Sequence, residues 1–220
     1  MIRTKKTALG GAASAVLLAA ALVGCASDEG AGVGALSLER LALIADELGK
    51  DGAKECPLPY DAGKAGEAAG LDQSILAGAA GAEATDPSAT ADGGTVTDPR
   101  SVFAGKTGAF ITCSYQVGGE DLNIYTVGTE EGNAVYAMAP RMQYDGSMGP
   151  DELTVNIEKG AKAELGKAVQ SKSGNVVTVR LDPDGKGDIA LMLAAGDSGE
   201  TSLEPQQVLR LAEAFAAQAK

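Results

Sequence analysis

The stretch GAFITCSYQVGGEDLNIYTVG, residues 108–128, decides the fold. Apolar and polar side chains alternate on both sides of a glycine pair, with the period of two that is typical of half-buried β-strands. Gly118 and Gly119 accept the positive φ angles that a two-residue hairpin loop requires. The stretch therefore predicts a β-hairpin.

Five further segments are predicted as strands, and the connections between them are too short for the crossovers that parallel strands need. They are residues 134–139, 153–158, 167–171, 175–182 and 188–195. The sheet is therefore expected to be mainly antiparallel, with about five to seven strands.

The segment DPDGKGD, residues 182–188, joins the last two of these strands. Asp182, Asp184 and Asp188 have the spacing of the first ligands in a calcium-binding loop. Lys186 and Leu193 stand where such a loop needs oxygen ligands. We therefore interpret the segment as a hairpin turn and not as a calcium site.

Two helices are predicted before the sheet. Residues 36–49 place leucines at helical spacing, with Ser37 as the N-cap and Gly49 at the C-terminal end. A shorter helix is predicted between Asp61, as its N-cap, and Gly70, as its end.

A third helix is predicted over residues 202–220, with Thr201 or Ser202 as its cap and one apolar face for the sheet. The fold class is therefore α+β: a mainly antiparallel sheet flanked by an N-terminal and a C-terminal helix, with one sheet face at least partly exposed. Residues 79–100 are poor in large apolar side chains and rich in Gly, Pro, Thr, Ser and Asp, which predicts a mobile loop.

The N-terminal segment has the composition of an export signal. Arg3, Lys5 and Lys6 form a basic region without acids, and residues 8–23 carry no charge. The uncharged run is shorter than the roughly 20 residues that span a bilayer.

The end of this segment, LVGC at 22–25, resembles the lipobox of bacterial lipoproteins, and residues 56–72 are similar to segments of actinobacterial lipoproteins of unknown function. The resemblance implies that the Cys25 thiol carries a diacylglycerol and that residues 1–24 are removed as a signal peptide. Residues 25–35 would then be a lipidated cysteine and a flexible tether. The alternative is an ordinary signal peptide or membrane anchor with an incidental cysteine.

Residues 36–220 are expected to form one exported domain. If Cys25 is lipidated, this domain contains two cysteines, Cys56 and Cys113. An even pair of cysteines outside the cytosol predicts a disulfide, with two free thiols as the alternative. The two residues show no Cys-x-x-Cys spacing, which argues against a redox site.

The composition narrows the possible functions. Removal of residues 1–24 takes away three positive charges and no negative ones, so the net charge changes from −12 to −15. Such a charge repels nucleic acid and anionic lipid heads. The chain contains no histidine, which excludes Ser/His/Asp and Cys/His nucleophilic sites and His-ligated zinc. No cofactor is predicted.

One segment has the composition of a contact surface. Residues 140–152, PRMQYDGSMGPDE, are predicted as a connection, and Arg141, Met142, Tyr144 and Met148 are its candidate binding residues. Methionine and tyrosine are adaptable contact residues. An ordinary connection is the alternative.

These features together predict a lipid-anchored lipoprotein at the extracytoplasmic face of the cell membrane. It would act as a non-catalytic binding, sensor or accessory module, and its partner would be an envelope protein or a small ligand. The alternative is a carboxylate-dependent enzyme acting on cell-wall material. The two hypotheses differ in whether a pocket holds two or more converging carboxylates.

Overall fold

The computed structural model describes residues 35–94, 103 and 106–220. The predicted signal peptide and Cys25, the predicted lipidation site, lie outside the described residues, as does the predicted tether apart from Ala35. The chain from Val33 to Lys220 forms one compact unit.

Within the described residues, seven strands form one sheet and six helices cover it. The strands are β1 (Ile75–Ala77), β2 (Ala89–Gly94), β3 (Gly108–Val117), β4 (Glu120–Thr129), β5 (Ala168–Gln170), β6 (Val176–Leu181) and β7 (Asp188–Ala195). The helices are α1 (Leu38–Leu48), α2 (Ala62–Ala69), α3 (Ala134–Ala137), α4 (Ala139–Asp145), α5 (Pro150–Lys162) and α6 (Pro205–Gln218). Neighbouring strands are antiparallel in the order β1-β3-β4-β7-β6-β5, and β2 pairs with β3 beside β1. The α+β class with a mainly antiparallel sheet is confirmed.

The predicted hairpin is the centre of the sheet. Strands β3 and β4 pair over ten residues each, and Val117 lies opposite Glu120 across the loop. Gly118 and Gly119 have φ angles of 62° and 86°. Both loop positions therefore have the positive φ of the turn that suits the twist of a hairpin.

Helices α1, α2 and α6 cover one face of the sheet and enclose the larger core. Ile111 of β3, Leu191 of β7 and Phe215 of α6 are all fully buried there. The rings of Tyr60 and Tyr115 pack on Phe215, with ring centroids 5.6 Å and 6.2 Å away. This apolar layer packs the N-terminal and C-terminal helices on the same face of the sheet, and both helices flank the sheet as predicted.

The helix ends follow the sequence signals in two of three cases. Ser37 Oγ accepts a hydrogen bond from the Arg40 N–H (3.1 Å), and Asp61 Oδ1 accepts one from the Lys64 N–H (3.0 Å). Helix α6 begins later than predicted, at Pro205, whose ring suits the first helical position. The predicted cap Ser202 is outside the helix, where its N–H donates to Glu120 Oε1 (2.8 Å).

The strand predicted at residues 134–139 is wrong, because most of this segment forms helix α3 and the start of α4. Val135 and Met138 are buried at helical spacing against the second face of the sheet. The Ala134 N–H, at the start of α3, donates to the buried Asp188 Oδ2 (3.0 Å). The segment is therefore helical because its buried residues repeat every three to four positions and because a buried hydrogen bond holds its first N–H group.

The strand predicted at residues 153–158 is also wrong, since helix α5 covers the segment. Leu153, Ile157 and Ala161 lie four residues apart and pack against the second core. The helix carries two acids in its first turn and two lysines in its last, which complements the helix dipole. The connection predicted over 140–152 is mostly helical as well.

Helices α3, α4 and α5 cover only part of the second sheet face. They pack over β4, β5, β6 and β7, and their core contains Val127, Ala190 and Met192. The alternate residues of β3 on this face, such as Thr112 and Ser114, are only partly buried. One sheet face is therefore half open, over β2 and β3.

The mobile loop predicted over 79–100 is wrong for its central part, because residues 89–94 form strand β2. Ala89 and Ala91 lie under helix α1, and Ala89 is 1% exposed. Small side chains allow the helix to pack closely on the strand. Residues 95–100 of the predicted loop lie outside the described part.

The predicted disulfide is present. Cys56 and Cys113 are bonded, with their Cα atoms 5.4 Å apart and a sequence separation of 57. Cys113 is fully buried on β3. The bond therefore ties the segment before α2 to the central strand.

The predicted turn at residues 182–188 is confirmed, and its last acid has a structural role. Asp188 Oδ1 accepts hydrogen bonds from Arg180 Nη2 (3.0 Å) and Nε (3.4 Å). Arg180 also donates to the carbonyl of Ala163 (3.3 Å). The ion pair thus joins β6, β7, α3 and the end of α5.

No helix in the described part of the chain is long and apolar enough to cross a membrane.

Candidate functional site

Two grooves lie on either side of helix α4, and Pro140 lines both. Met138 and Met142 are 0% and 1% exposed and hold the helix on the sheet. Pro140 lies in the first turn, where its missing N–H costs no hydrogen bond. The helix therefore forms a ridge with a rigid base.

The first groove, called the sheet groove, lies between the open strands and the ridge. Its volume is about 300 Å³, the lower end of the range for small-molecule sites. Its lining residues are Thr90, Ala91, Asp92, Phe110, Thr112, Ala137, Pro140 and Arg141. Strands β2 and β3 supply one wall, and helices α3 and α4 supply the other.

Arg141 is the cation of the sheet groove. Its guanidinium carbon lies 5.6 Å from the ring centroid of Tyr125, a cation–π contact. The side chain is exposed, and within the described residues it donates no hydrogen bond and forms no ion pair. This contact leaves the N–H groups of the guanidinium without an oxygen acceptor, so they stay available to a ligand.

Aromatic packing supports this arrangement from below. The rings of Phe110 and Tyr125 meet edge to face, with centroids 5.8 Å apart. Such contacts stabilise by about 0.5–1.5 kcal/mol beyond the buried area. Tyr125 is 3% exposed, and burial raises the pKa of its phenol. The phenol therefore stays a neutral hydrogen-bond donor at physiological pH.

Asp145 is a buried acid at the end of α4. Burial raises the pKa of its carboxyl, while the Tyr125 hydroxyl and the Arg141 charge oppose the shift. Its Oδ2 atom is buried without a hydrogen-bond partner. The backbone carbonyl of Asp145 accepts from Asn175 Nδ2 (2.9 Å) and from the Gly199 N–H (2.8 Å). The end of the ridge is thus tied to the loop that follows β7.

The second groove, called the loop groove, is wider and lies at the other side of the ridge. Its volume is about 680 Å³, and it is lined by Pro140, Gln143, Tyr144, Ser147, Met148, Gly149, Pro150 and Ser198. Ser147 and Ser198 have positive φ angles of 49° and 51°, which cost free energy for residues other than glycine. The described lining carries no charged side chain.

The predicted binding residues separate into two groups. Arg141 is exposed in the sheet groove, and Tyr144, 66% exposed, lies in the loop groove. Met142 and Met148 are 1% and 4% exposed and belong to the second core. Only the first pair is therefore available as surface, because Met142 packs into the second core from α4 and Met148 packs into it from the connection that follows.

A third groove, between α2 and β1, contains two acids. Glu67 and Asp72 are among its lining residues, and both are exposed. Its volume is about 230 Å³. Among the described residues, no group of three or more His, Cys, Asp or Glu side chains is arranged to hold a metal ion.

Four polar or aromatic residues of the sheet groove are not among the predicted site residues: Thr90, Asp92, Phe110 and Thr112. The first two lie in the segment predicted as a loop. Thr90 and Asp92 alternate with the small residues Ala89 and Ala91, a weak sign of a strand with one buried face. Phe110 and Thr112 were predicted only as strand residues, since the open face depends on where α3–α5 pack.

The chain matches no protein-family model, no curated protein and no solved structure at a significant level.

Proposed function

We propose that the chain is a lipid-anchored lipoprotein of the extracytoplasmic membrane face, whose folded domain binds a small polar ligand in the sheet groove. The observation that carries the binding function is the sheet groove itself. It combines a volume of about 300 Å³, an exposed guanidinium and an aromatic floor on rigid elements. Convergent polar groups in a concave site are the usual mark of a small-molecule site.

The polar side chains of the groove have hydrogen-bonding capacity that the fold does not use. Within the described chain, the side chains of Thr90, Asp92, Thr112 and Arg141 have no hydrogen-bond or ion-pair partner. Their positions are fixed by β2, β3 and α4, which are held by sheet pairing and buried methionines. Preorganised groups lose little freedom when a ligand binds, which favours affinity.

The lipid anchor is supported by the lipobox resemblance at residues 22–25. Among the described residues, Leu36 is the first that is buried. Its N–H donates to the Ala219 carbonyl (3.2 Å), and its carbonyl accepts from the Asp184 N–H (2.9 Å). The proposed tether therefore joins the domain beside the β6–β7 turn and the end of α6.

Binding is tested by saturation-transfer NMR with a library of small polar metabolites. Thr112→Trp fills the sheet groove, and Gln116→Trp is its control on the same strand and face, outside the groove lining. We expect at least one compound that binds the wild type and the control but not Thr112→Trp. Equal binding to all three proteins, or no binding to any, would contradict the proposal.

The anchor is tested by fractionation of cells that express the wild type or Cys25→Ser. A serine hydroxyl cannot form the thioether to diacylglycerol, so we expect the variant to leave the membrane fraction or to remain unprocessed. A processed Cys25→Ser protein that stays in the membrane fraction would show that lipid on Cys25 is not the attachment.

A further inference from the structure

The sheet groove presents one positive and one negative side chain from opposite walls. Asp92 projects from β2, and Arg141 projects from α4. Both are exposed, and they form no ion pair with each other at 4.0 Å or less. Two opposite charges that line one small groove without pairing leave a gap that a ligand with both charges would bridge.

We propose that the ligand is a small zwitterion of the amino-acid or dipeptide class, with its carboxylate on Arg141 and its ammonium group on Asp92. This inference rests on the proposed binding function and adds the ligand class. The planar edge of a guanidinium donates two parallel hydrogen bonds to a carboxylate. Thr90 and Thr112 also line the groove, and their hydroxyls are further potential donors and acceptors.

Other ligand classes fit the groove less well. A neutral ligand would remove water from both charged groups and pair with neither, which costs free energy. A simple anion would meet the Asp92 carboxylate in a chain of net charge −12, and a simple cation would meet Arg141. Only a ligand with separated opposite charges satisfies both walls.

The rest of the lining favours an apolar side chain on that zwitterion. Phe110, Ala137 and Pro140 contribute carbon surface to the same lining. Burial of apolar area stabilises a complex by roughly 25 cal/mol per Å². An aliphatic amino acid or a dipeptide of small residues therefore matches both the charges and the apolar part.

The test uses isothermal titration calorimetry on the processed full-length protein, extracted from membranes in a neutral detergent. The probes are L-leucine and L-alanyl-L-alanine. Two analogues remove one charge of leucine each: 4-methylpentanoate lacks the ammonium group, and 3-methylbutylamine lacks the carboxylate. Glucose is the neutral probe. We expect one of the zwitterions to bind at least about tenfold more tightly than either analogue, because hydrogen bonds to charged groups contribute 1.5–3 kcal/mol.

Variants assign each charge to its partner. Arg141→Gln is expected to lower zwitterion affinity to that of the amine analogue, and Asp92→Asn to that of the acid analogue. Lys172→Gln and Asp182→Asn remove the same charges at exposed positions outside the groove and should leave the affinity unchanged. Equal thermal midpoints for all variants would show that folding is intact.

The outcomes separate this inference from the proposed function. If 4-methylpentanoate or glucose binds and Thr112→Trp abolishes that binding, while no zwitterion binds, the groove is a binding site but the ligand class is wrong. If the zwitterions bind equally well to Arg141→Gln and Asp92→Asn, the charge assignment is wrong. If no probe and no library compound binds, both proposals fail.

Discussion

The disulfide between Cys56 and Cys113 gives the most quantitative prediction. The bond closes a loop of 57 residues. Without the bond, the unfolded chain has more conformational entropy. On the chain-entropy model, this lowers the free energy of unfolding by about 4 kcal/mol at 25 °C. This is a large part of the 5–15 kcal/mol that holds a typical domain together. Loss of the bond should therefore lower the midpoint of thermal unfolding by roughly 8–16 °C for a chain of this size.

The perturbation is replacement of one or both cysteines by alanine. Cys56→Ala, Cys113→Ala and the double variant all remove the same cross-link, so each should lose a similar amount. Cys113 is fully buried, so its replacement should add a smaller cost for lost packing. The double variant should therefore be about as stable as Cys113→Ala, and the two single losses should not add.

Urea unfolding, followed by far-UV circular dichroism, measures these free energies by linear extrapolation. The wild type in dithiothreitol serves as an independent measurement of the opened loop. The reasoning would be refuted if each single variant lost less than about 1 kcal/mol of unfolding free energy and the two losses added in the double variant. Such a result would mean that the side chains contribute only by packing and that no cross-link is lost.

Two further predictions concern buried acids. Asp188→Asn should destabilise the protein by about 2 kcal/mol, since it weakens the charge-assisted hydrogen bonds that Asp188 accepts from Arg180. A double-mutant cycle with Arg180→Met checks this, and a coupling below about 0.5 kcal/mol would contradict it. Burial raises the pKa of Asp145 in the folded state, so the folded protein holds the proton more tightly than the unfolded chain. Stability from this group is therefore lost as pH rises above the unfolded value of about 3.9. Asp145→Asn should be more stable than the wild type at pH 7 and should lose that advantage below about pH 4 in urea unfolding. If the stability of Asp145→Asn relative to the wild type increased as the pH fell, the pKa of Asp145 would be lowered in the folded state and not raised.

The sequence predicts the sheet centre and the helix ends well because those features are local. A glycine pair between alternating strands has one favoured turn, and Ser37 and Asp61 bind N–H groups three residues away. Such interactions need no knowledge of the rest of the fold. The disulfide follows from the cysteine count and the expected compartment.

The second helical layer is not predicted because its segments are short and ambiguous in period. Residues 134–139 and 153–158 contain apolar residues that fit a strand almost as well as a helix. Tertiary contacts decide between them, above all the buried bond from the Ala134 N–H to Asp188. Strand β2 is not predicted because its buried residues are alanines. Their side chains are too small to give a clear hydrophobic pattern.

The candidate site is half visible in the sequence. Arg141 and Tyr144 stand out in a segment of mixed contact residues, and both are exposed on α4. Asp92 lies 49 residues away in sequence, on a strand whose position depends on β3. Asp92 and Arg141 line the same groove because β2 pairs with β3 and because helices α3–α5 cover only part of that sheet face. No local sequence pattern reveals either condition.

The most direct measurement of the central claim is a map of ligand contacts on the protein. Amide and guanidinium proton–nitrogen NMR spectra are recorded with and without L-leucine or L-alanyl-L-alanine. We predict shift changes confined to the sheet groove, at Thr90, Asp92, Thr112 and the Arg141 side chain. Changes centred on Ser147 and Ser198, or the absence of any change with every probe, would contradict the account.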